Sequence, residues 1–144
     1  MTNVGRMAED TFRSVRIERA ATGRYVVHNA RGGTLDVGGD AFTPVELLLA
    51  AIGTCTATDT DVVTSRRVEP DSFTVTVTAD KVSDRETGNR LENLAVTFEV
   101  RFPEGEAGDA ARAVLPRTVA LSHDKLCTVS RTVERGTPVK STIA

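Results

Sequence analysis

The chain has 144 residues, which is the length of one ordinary domain and too short for two independent hydrophobic cores. Hydrophobic residues make up 40% of it and charged residues 26%, a composition typical of a soluble globular protein. Its formal net charge of −2 lacks the basic excess that binding to nucleic acid phosphates or to an anionic membrane needs, so neither partner is expected.

The pattern of apolar residues indicates the compartment, and the compartment in turn indicates the state of the cysteines. The longest apolar stretch, residues 47–52, is far shorter than the ~20 residues of a membrane span, and residues 1–6 contain no apolar signal region. We therefore expect a cytoplasmic protein. There, Cys55 and Cys127 are expected to be free thiols or a transient redox pair rather than a structural disulfide.

The first part of the chain predicts a short arm followed by a β-meander. Residues 1–10 are polar and without periodicity, so we expect a loose N-terminal arm, with one domain over residues 11–144. Three β-rich runs, separated by glycine-containing turns, predict an antiparallel three-stranded sheet. These runs are centred on residues 14–18, 25–27 and 34–37.

A long central helix is predicted next. Thr43 suits the N-cap position, Pro44 suits the first turn, and Pro70 forbids continuation, so the helix should end near Arg67. Its first half, residues 47–52, is apolar on every side, which in a soluble protein indicates a helix surrounded by other protein.

The rest of the chain predicts a hairpin and two further helices. Residues 73–78 and 94–101 alternate in the manner of half-buried strands around a polar loop at 83–89. Helix 107–121 contains Pro116, which should kink or divide it. A short helix from about Cys127 to before Gly136 and a final strand at 139–143 complete the prediction.

The two cysteines are the main candidates for chemistry. Cys55 lies in a helix of apolar and small residues, so on these neighbours alone it is expected to be a buried, inert core cysteine. Gly53 argues otherwise, because a glycine inside a helix suggests that something approaches the backbone closely next to Cys55. Cys127 stands at a predicted helix start, where partly positive N–H groups stabilise a thiolate.

Other chemistry from the same residue types has weaker support. A zinc site would need both cysteines with His28 and His123, yet no Cys-x-x-Cys or His-x3-5-His spacing is present. A hydrolase that pairs Cys55 with a histidine stays open on residue types alone. His123 itself is expected to be a polar surface residue.

Two motifs resemble those of the OsmC/Ohr family of thiol-dependent hydroperoxide reductases. Residues 42–55 combine a proline, an acidic and apolar helix start, small residues and a cysteine; residues 127–130 supply a second cysteine followed by x-x-Ser. The predicted order of strands and helices fits the family across about residues 12–143. The resemblance implies an α+β fold: an intertwined homodimer with long central helices packed against antiparallel β-sheets.

The resemblance also implies roles for four residues. Cys55 would attack the peroxide as a thiolate and become a sulfenic acid, and Cys127 would condense with it to a disulfide. Arg24 is the candidate for the arginine that lowers the thiolate pKa, held in place by Glu46. The family glutamate directly follows the proline, where this chain has Val45, and Glu46 lies about 100° further round the helix.

The leading prediction is thus a two-cysteine peroxidase for organic hydroperoxides or hydrogen peroxide. The family implies a dithiol reductant, such as dihydrolipoyl groups of lipoylated proteins, and no cofactor or metal. The alternative is a protein of the same fold that binds ligands or senses redox state with weak or no peroxidase activity, as the displaced glutamate suggests.

Overall fold

The computed structural model describes residues 11–144. They belong to two compact units, divided after residue 47, and each unit is described by itself. The predicted arm at 1–10 lies outside the described residues, and the single domain over 11–144 stays a prediction. The α+β class is confirmed, since helices and antiparallel sheets occur together. The intertwined homodimer is untested by a single chain.

The first unit contains the predicted antiparallel meander, which is confirmed. Its strands run in the order β1 (Arg16–Ala21), β2 (Arg24–His28) and β3 (Thr34–Val37). Gly23 adopts a φ of 71° in the turn between β1 and β2, a conformation that costs glycine little. Tyr25 is paired with Val37 in the register of β2 and β3.

The predicted long helix is confirmed as α1, Pro44–Ser65. Its buried side follows a four-residue spacing and consists largely of Thr56, Thr60 and Thr64. The hydroxyls of Thr60 and Thr64 are satisfied because each donates to the carbonyl four residues earlier, at 2.6 and 3.0 Å. The apolar first half is less covered than the pattern predicts, since Leu48 keeps 37% of its surface exposed.

The second unit contains a long antiparallel hairpin of β4 (Ser72–Asp84) and β5 (Gly88–Arg101). Both strands extend further than predicted and leave a tight turn in place of the loop at 83–89. The carboxylate of Asp84 accepts the N–H groups of Glu86 and Thr87 at 2.8 and 3.1 Å, which closes that turn locally.

The remaining elements are α2 (Glu106–Leu121), a π-helical turn (Ser122–Leu126) and α3 (Thr128–Arg135). Pro116 lies inside α2 without dividing it, because a missing N–H removes one bond of the ladder while the other turns continue. The predicted strand at 139–143 is wrong. Val139 and Ile143 are 92% and 100% exposed, and no neighbouring strand pairs with this segment within residues 11–144.

Candidate functional site: a pair of thiols

Gly53, two residues before Cys55, allows helix α1 to lie close to the hairpin. A Cβ at position 53 would come within 2.8 Å of Cγ2 of Val77 on β4. The close approach that the sequence predicts next to Cys55 is therefore confirmed, and the neighbour is β4. Cys55 is a free cysteine and is half-buried.

Cys127 is the N-cap of α3 and is fully buried. The N–H of Cys127 donates to the carbonyl of Ser122 at 2.8 Å, a bond that spans the π-helical turn. The N–H of Ser130 donates to Cys127 Sγ at 3.5 Å, and the Cys127 thiol donates to Ser130 Oγ at 3.2 Å. Single π-helical turns occur frequently at functional sites.

The two thiols meet at the N-terminus of α3. A hydrogen-bonding interaction between the Cys55 and Cys127 side chains contributes to the pKa shift of each thiol, and the backbone N–H of Val129 acts to lower the pKa of Cys55. The first turn of one helix therefore supplies an amide to each sulfur: Val129 to Cys55 and Ser130 to Cys127. Partly positive amides at a helix N-terminus favour the thiolate form.

The pKa values of the two thiols are shifted in opposite directions. Burial raises the pKa of Cys55, the amide of Val129 opposes that shift, and the neighbouring Cys127 adds to it. Burial also acts to raise the pKa of Cys127, but hydrogen bonds from Ser130 and from the Cys55 thiol outweigh it and leave the pKa lowered. The two thiols therefore titrate as a coupled pair.

This direction differs from the lowered pKa of Cys55 that the resemblance implies. That expectation depended on Arg24, which belongs to the first unit. There the guanidinium of Arg24 lies against Gly39, and a Cβ at position 39 would be 3.0 Å from Arg24 Cζ. Within residues 11–144 no carboxylate forms an ion pair with Arg24.

Glu46 forms a reciprocal cap at the start of α1. The N–H of Thr43 donates to Glu46 Oε1 at 2.9 Å, and the N–H of Glu46 donates to Thr43 Oγ1 at 3.2 Å. The backbone hydrogen bond from Thr43 lowers the pKa of Glu46. The carboxylate is therefore engaged as a helix cap, and its assignment as the partner of Arg24 stays a prediction.

A buried polar network next to the thiols was missed in the sequence. Ser122 Oγ donates to Asp59 Oδ2 at 2.7 Å and lies 2.8 Å from Thr56 Oγ1. Thr56 and Asp59 follow Cys55 by one and four residues, so they share its part of α1. That spacing was the available signal for Asp59, whereas nothing in the sequence pointed to Ser122.

A mostly apolar cavity of about 270 Å³ adjoins this centre within the second unit. Thr56 and Ser130 line it at the thiol end, and His123 and Glu134 form a polar part of its wall. Its apolar lining comes from α1, β5, α2 and α3: Ile52, Leu94, Val96, Phe98, Val119 and Val133. No arginine is among these lining residues.

His123 is half exposed and lies between two carboxylates, as expected for a surface residue. The described residues contain no group of three or more His, Cys, Asp or Glu arranged to hold a metal ion. None of the helices in this part of the chain combines the length and hydrophobicity of a membrane span.

Comparison with known proteins identifies a matching family and a relative of similar length. A family model described as OsmC-like protein matches residues 37–142. An uncharacterized protein of Mycobacterium tuberculosis is 31% identical over 129 residues, which are 85% of this chain and 90% of that protein.

Two solved structures share the fold. An OsmC-like protein of unknown function from Vibrio cholerae gives a TM-score of 0.69 at 13% identity, over 86% of this chain and 94% of that one. A protein from Legionella pneumophila described as an organic hydroperoxide resistance protein gives a TM-score of 0.56 at 19% identity, over 83% and 88%.

Proposed function

This chain belongs to the OsmC-like family, and from that membership together with the paired thiols we propose that it is a thiol-dependent hydroperoxide reductase. Cys55 is the attacking residue and Cys127 the resolving residue. The observation that carries the proposal is that two free thiols, distant in sequence, meet at the N-terminus of α3, where each shifts the pKa of the other.

The proposed reaction balances with a hydroperoxide and a dithiol. The Cys55 thiolate attacks the terminal peroxide oxygen, the O–O bond breaks, and the leaving alkoxide takes a proton to become an alcohol. The sulfur of Cys127 then attacks the Cys55 sulfenic acid, the S–O bond breaks, and the hydroxyl leaves as water. An external dithiol, such as a dihydrolipoyl group, returns both thiols to the reduced form by exchange and is itself oxidised.

The proton held by Cys55 must leave before the attack. The hydrogen bond to Cys127 allows the pair to share one negative charge, and the amide of Val129 supports the form in which Cys55 carries it. Arg24 is proposed to shift this balance further toward the Cys55 thiolate, with Glu46 orienting it. An Arg24→Ala variant should then raise the pH at which Cys55 is alkylated, and an unchanged profile would remove Arg24 from the proposal.

The test of the reaction is product analysis after one equivalent of tert-butyl hydroperoxide or hydrogen peroxide. Wild type should lose two hydrogens by mass spectrometry and contain a Cys55–Cys127 disulfide. Cys127→Ser should accumulate sulfenic and then sulfinic acid at Cys55, and Cys55→Ser should consume no peroxide. If both thiols survive equimolar peroxide and react with an alkylating agent only in denaturant, the enzymatic proposal is wrong.

A second function has support from the cavity. The cavity has a mostly apolar lining without an arginine and a volume of about 270 Å³. Such a cavity suits a ligand-binding or redox-sensing protein with weak peroxidase activity. The two functions predict different responses to an apolar hydroperoxide. A reductase should turn it over with dihydrolipoamide through many cycles, whereas a binding protein should retain its ligand and stop after at most one oxidation of the thiols.

A further inference from the structure

Ser122 connects the two segments that carry the cysteines. Its side chain bonds to Asp59 and Thr56 on the helix of Cys55, and its carbonyl accepts the N–H of Cys127. Ser122 and Cys127 are fully buried, so water reaches these bonds only on the side of the half-buried Asp59. We call the three residues Thr56, Asp59 and Ser122 the Ser122 tether.

The direction of each hydrogen bond in the tether follows from the donors available. A serine hydroxyl has one hydrogen, and an ionised carboxylate accepts only, so Ser122 donates to Asp59 and Thr56 donates to Ser122. A hydrogen bond to a charged acceptor in a buried site is stronger than one between neutral groups. The Asp59 carboxylate thereby fixes the rotamer of Ser122 and, with it, the start of the π-helical turn.

Holding the start of the turn determines where Cys127 lies. The turn is five residues long and ends at the N-cap of α3, and its closing bond joins the Ser122 carbonyl to the Cys127 N–H at 2.8 Å. The same buried serine therefore binds the Cys55 helix with its side chain and the Cys127 backbone with its carbonyl. Asp59 also raises the pKa of both thiols through its negative charge.

We propose that Asp59 and Ser122 are positioning residues that hold Cys127 in reach of Cys55 for disulfide formation. This inference rests on the proposed function for its role in catalysis. The resolving step needs the two sulfur atoms at bonding distance with little movement of the backbone. Without the tether, Cys127 loses this fixed position, and the Cys55 sulfenic acid stays exposed to a second peroxide for longer.

Three variants separate the tether from the charge of Asp59. Ser122→Ala removes the tether and keeps the charge; Asp59→Asn keeps an acceptor for Ser122 and removes the charge; Asp59→Ala removes both. The matched control is Ser65→Ala, because Ser65 donates to Asp61 at 2.8 Å on the exposed part of the same helix. If Ser122→Ala does not fold, Thr56→Val is used instead, because it keeps the side-chain shape and removes the hydrogen bond between Thr56 and Ser122.

The main measurement is the effective concentration of the two thiols, obtained from the equilibrium of the intact protein with reduced and oxidised glutathione. All variants are compared at about pH 6, below the ordinary thiol pKa of ~8.5, to reduce the contribution of thiolate formation to the measured equilibrium. We expect a fall of about tenfold in Ser122→Ala and Asp59→Ala, the size associated with one buried hydrogen bond. Asp59→Asn and Ser65→Ala should stay within about twofold of wild type.

A second measurement detects a role that is more than structural. Asp59→Asn should move the thiol titration to lower pH, because the charge that opposes thiolate formation is gone, whereas Ser122→Ala keeps that charge. Under peroxide, Ser122→Ala should form more sulfinic acid at Cys55 for each disulfide formed than wild type does. Wild-type effective concentrations in Ser122→Ala and Asp59→Ala would overturn the inference, as would an equal fall in Ser65→Ala.

The glutathione equilibrium keeps this test separate from the peroxidase test. If wild type forms the disulfide with glutathione but does not reduce hydroperoxide, the proposed function fails and the tether can still be measured. If wild type reduces hydroperoxide and the variants keep its effective concentration, the tether fails and the proposed function stands.

Discussion

At the scale of single residues, the opposite shifts of the two thiols give a test with a defined sign. Cys127 raises the pKa of Cys55, and Cys55 lowers the pKa of Cys127. We expect Cys127→Ala to lower the pKa of Cys55 and Cys55→Ala to raise that of Cys127, read from thiolate absorbance against pH. Shifts in the same direction in both variants would contradict the hydrogen-bonded pair, and the double variant gives the baseline.

Glu46 is a second residue for which variants can separate the helix-capping hydrogen bond from the negative charge of the side chain. Its pKa is lowered by the bonds to Thr43, so its capping contribution is present above the unfolded pKa of ~4.3 and is lost as pH falls through the folded value. Glu46→Ala should unfold at lower urea concentration than wild type at neutral pH and approach it near pH 3, a value below ~4.3. Glu46→Gln, which keeps an acceptor, is the control and should lose less.

At the scale of secondary structure, a charged cluster holds α3 against the π-helical turn. His123 bonds to Asp124 Oδ1 at 2.9 Å and to Glu134 Oε1 at 2.8 Å. Arg131 donates both to Glu134 Oε2 and to the carbonyl of His123. These bonds join the two ends of the segment that contains Cys127, so they support the cap that positions it.

This cluster should make stability depend on pH. Hydrogen bonds to Asp124 and Glu134 raise the pKa of His123, so its contribution is full below ~6.5 and is lost as pH rises through the folded value. The bond to His123 lowers the pKa of Glu134, so that part is present above ~4.3. Glu134→Gln should lower the urea midpoint most between these values and less on either side of them. Glu86→Gln, at an exposed turn, is the control and should show no such pH window.

At the scale of the whole molecule, the exposed apolar residues of α1 are relevant to the oligomeric state of the protein. Leu48 and Val62 remain 37% and 51% exposed, although the pattern of the helix predicts that protein surrounds it. We expect a homodimer of twice 15.4 kDa in sedimentation at micromolar concentration. A single species of 15.4 kDa would contradict this.

A charge on that surface should weaken the expected dimer. Val62→Glu should shift the sedimentation equilibrium toward the single chain, because an uncompensated carboxylate is costly in an apolar interface. Val62→Thr is the matched control, since it keeps the branched shape of the side chain at the same exposed position and adds no charge. Equal behaviour of the two variants would place the interface elsewhere.

The sequence by itself determined the features that depend on neighbouring residues. Threonine before proline marked the start of α1, alternation marked the strands, and a cysteine before a short helix marked the N-cap of α3. The two family motifs identified the cysteine pair without any distance, because each motif is local. The prediction of a final strand was wrong. Alternating apolar residues are compatible with a β-strand, but a strand in a sheet needs a neighbouring strand. Residues 139–143 lack such a neighbour within the described chain.

Only the tertiary structure decided which contacts position the two thiols and in which direction their pKa values are shifted. Ser122 and Asp59 are 63 residues apart, so no local pattern predicts their hydrogen bond. The opposite pKa shifts of Cys55 and Cys127 depend on burial, on two amides of α3 and on the contact between the sulfurs. Each of these arises when separate segments pack together, because burial and electrostatic fields depend on distance in space rather than on position along the chain.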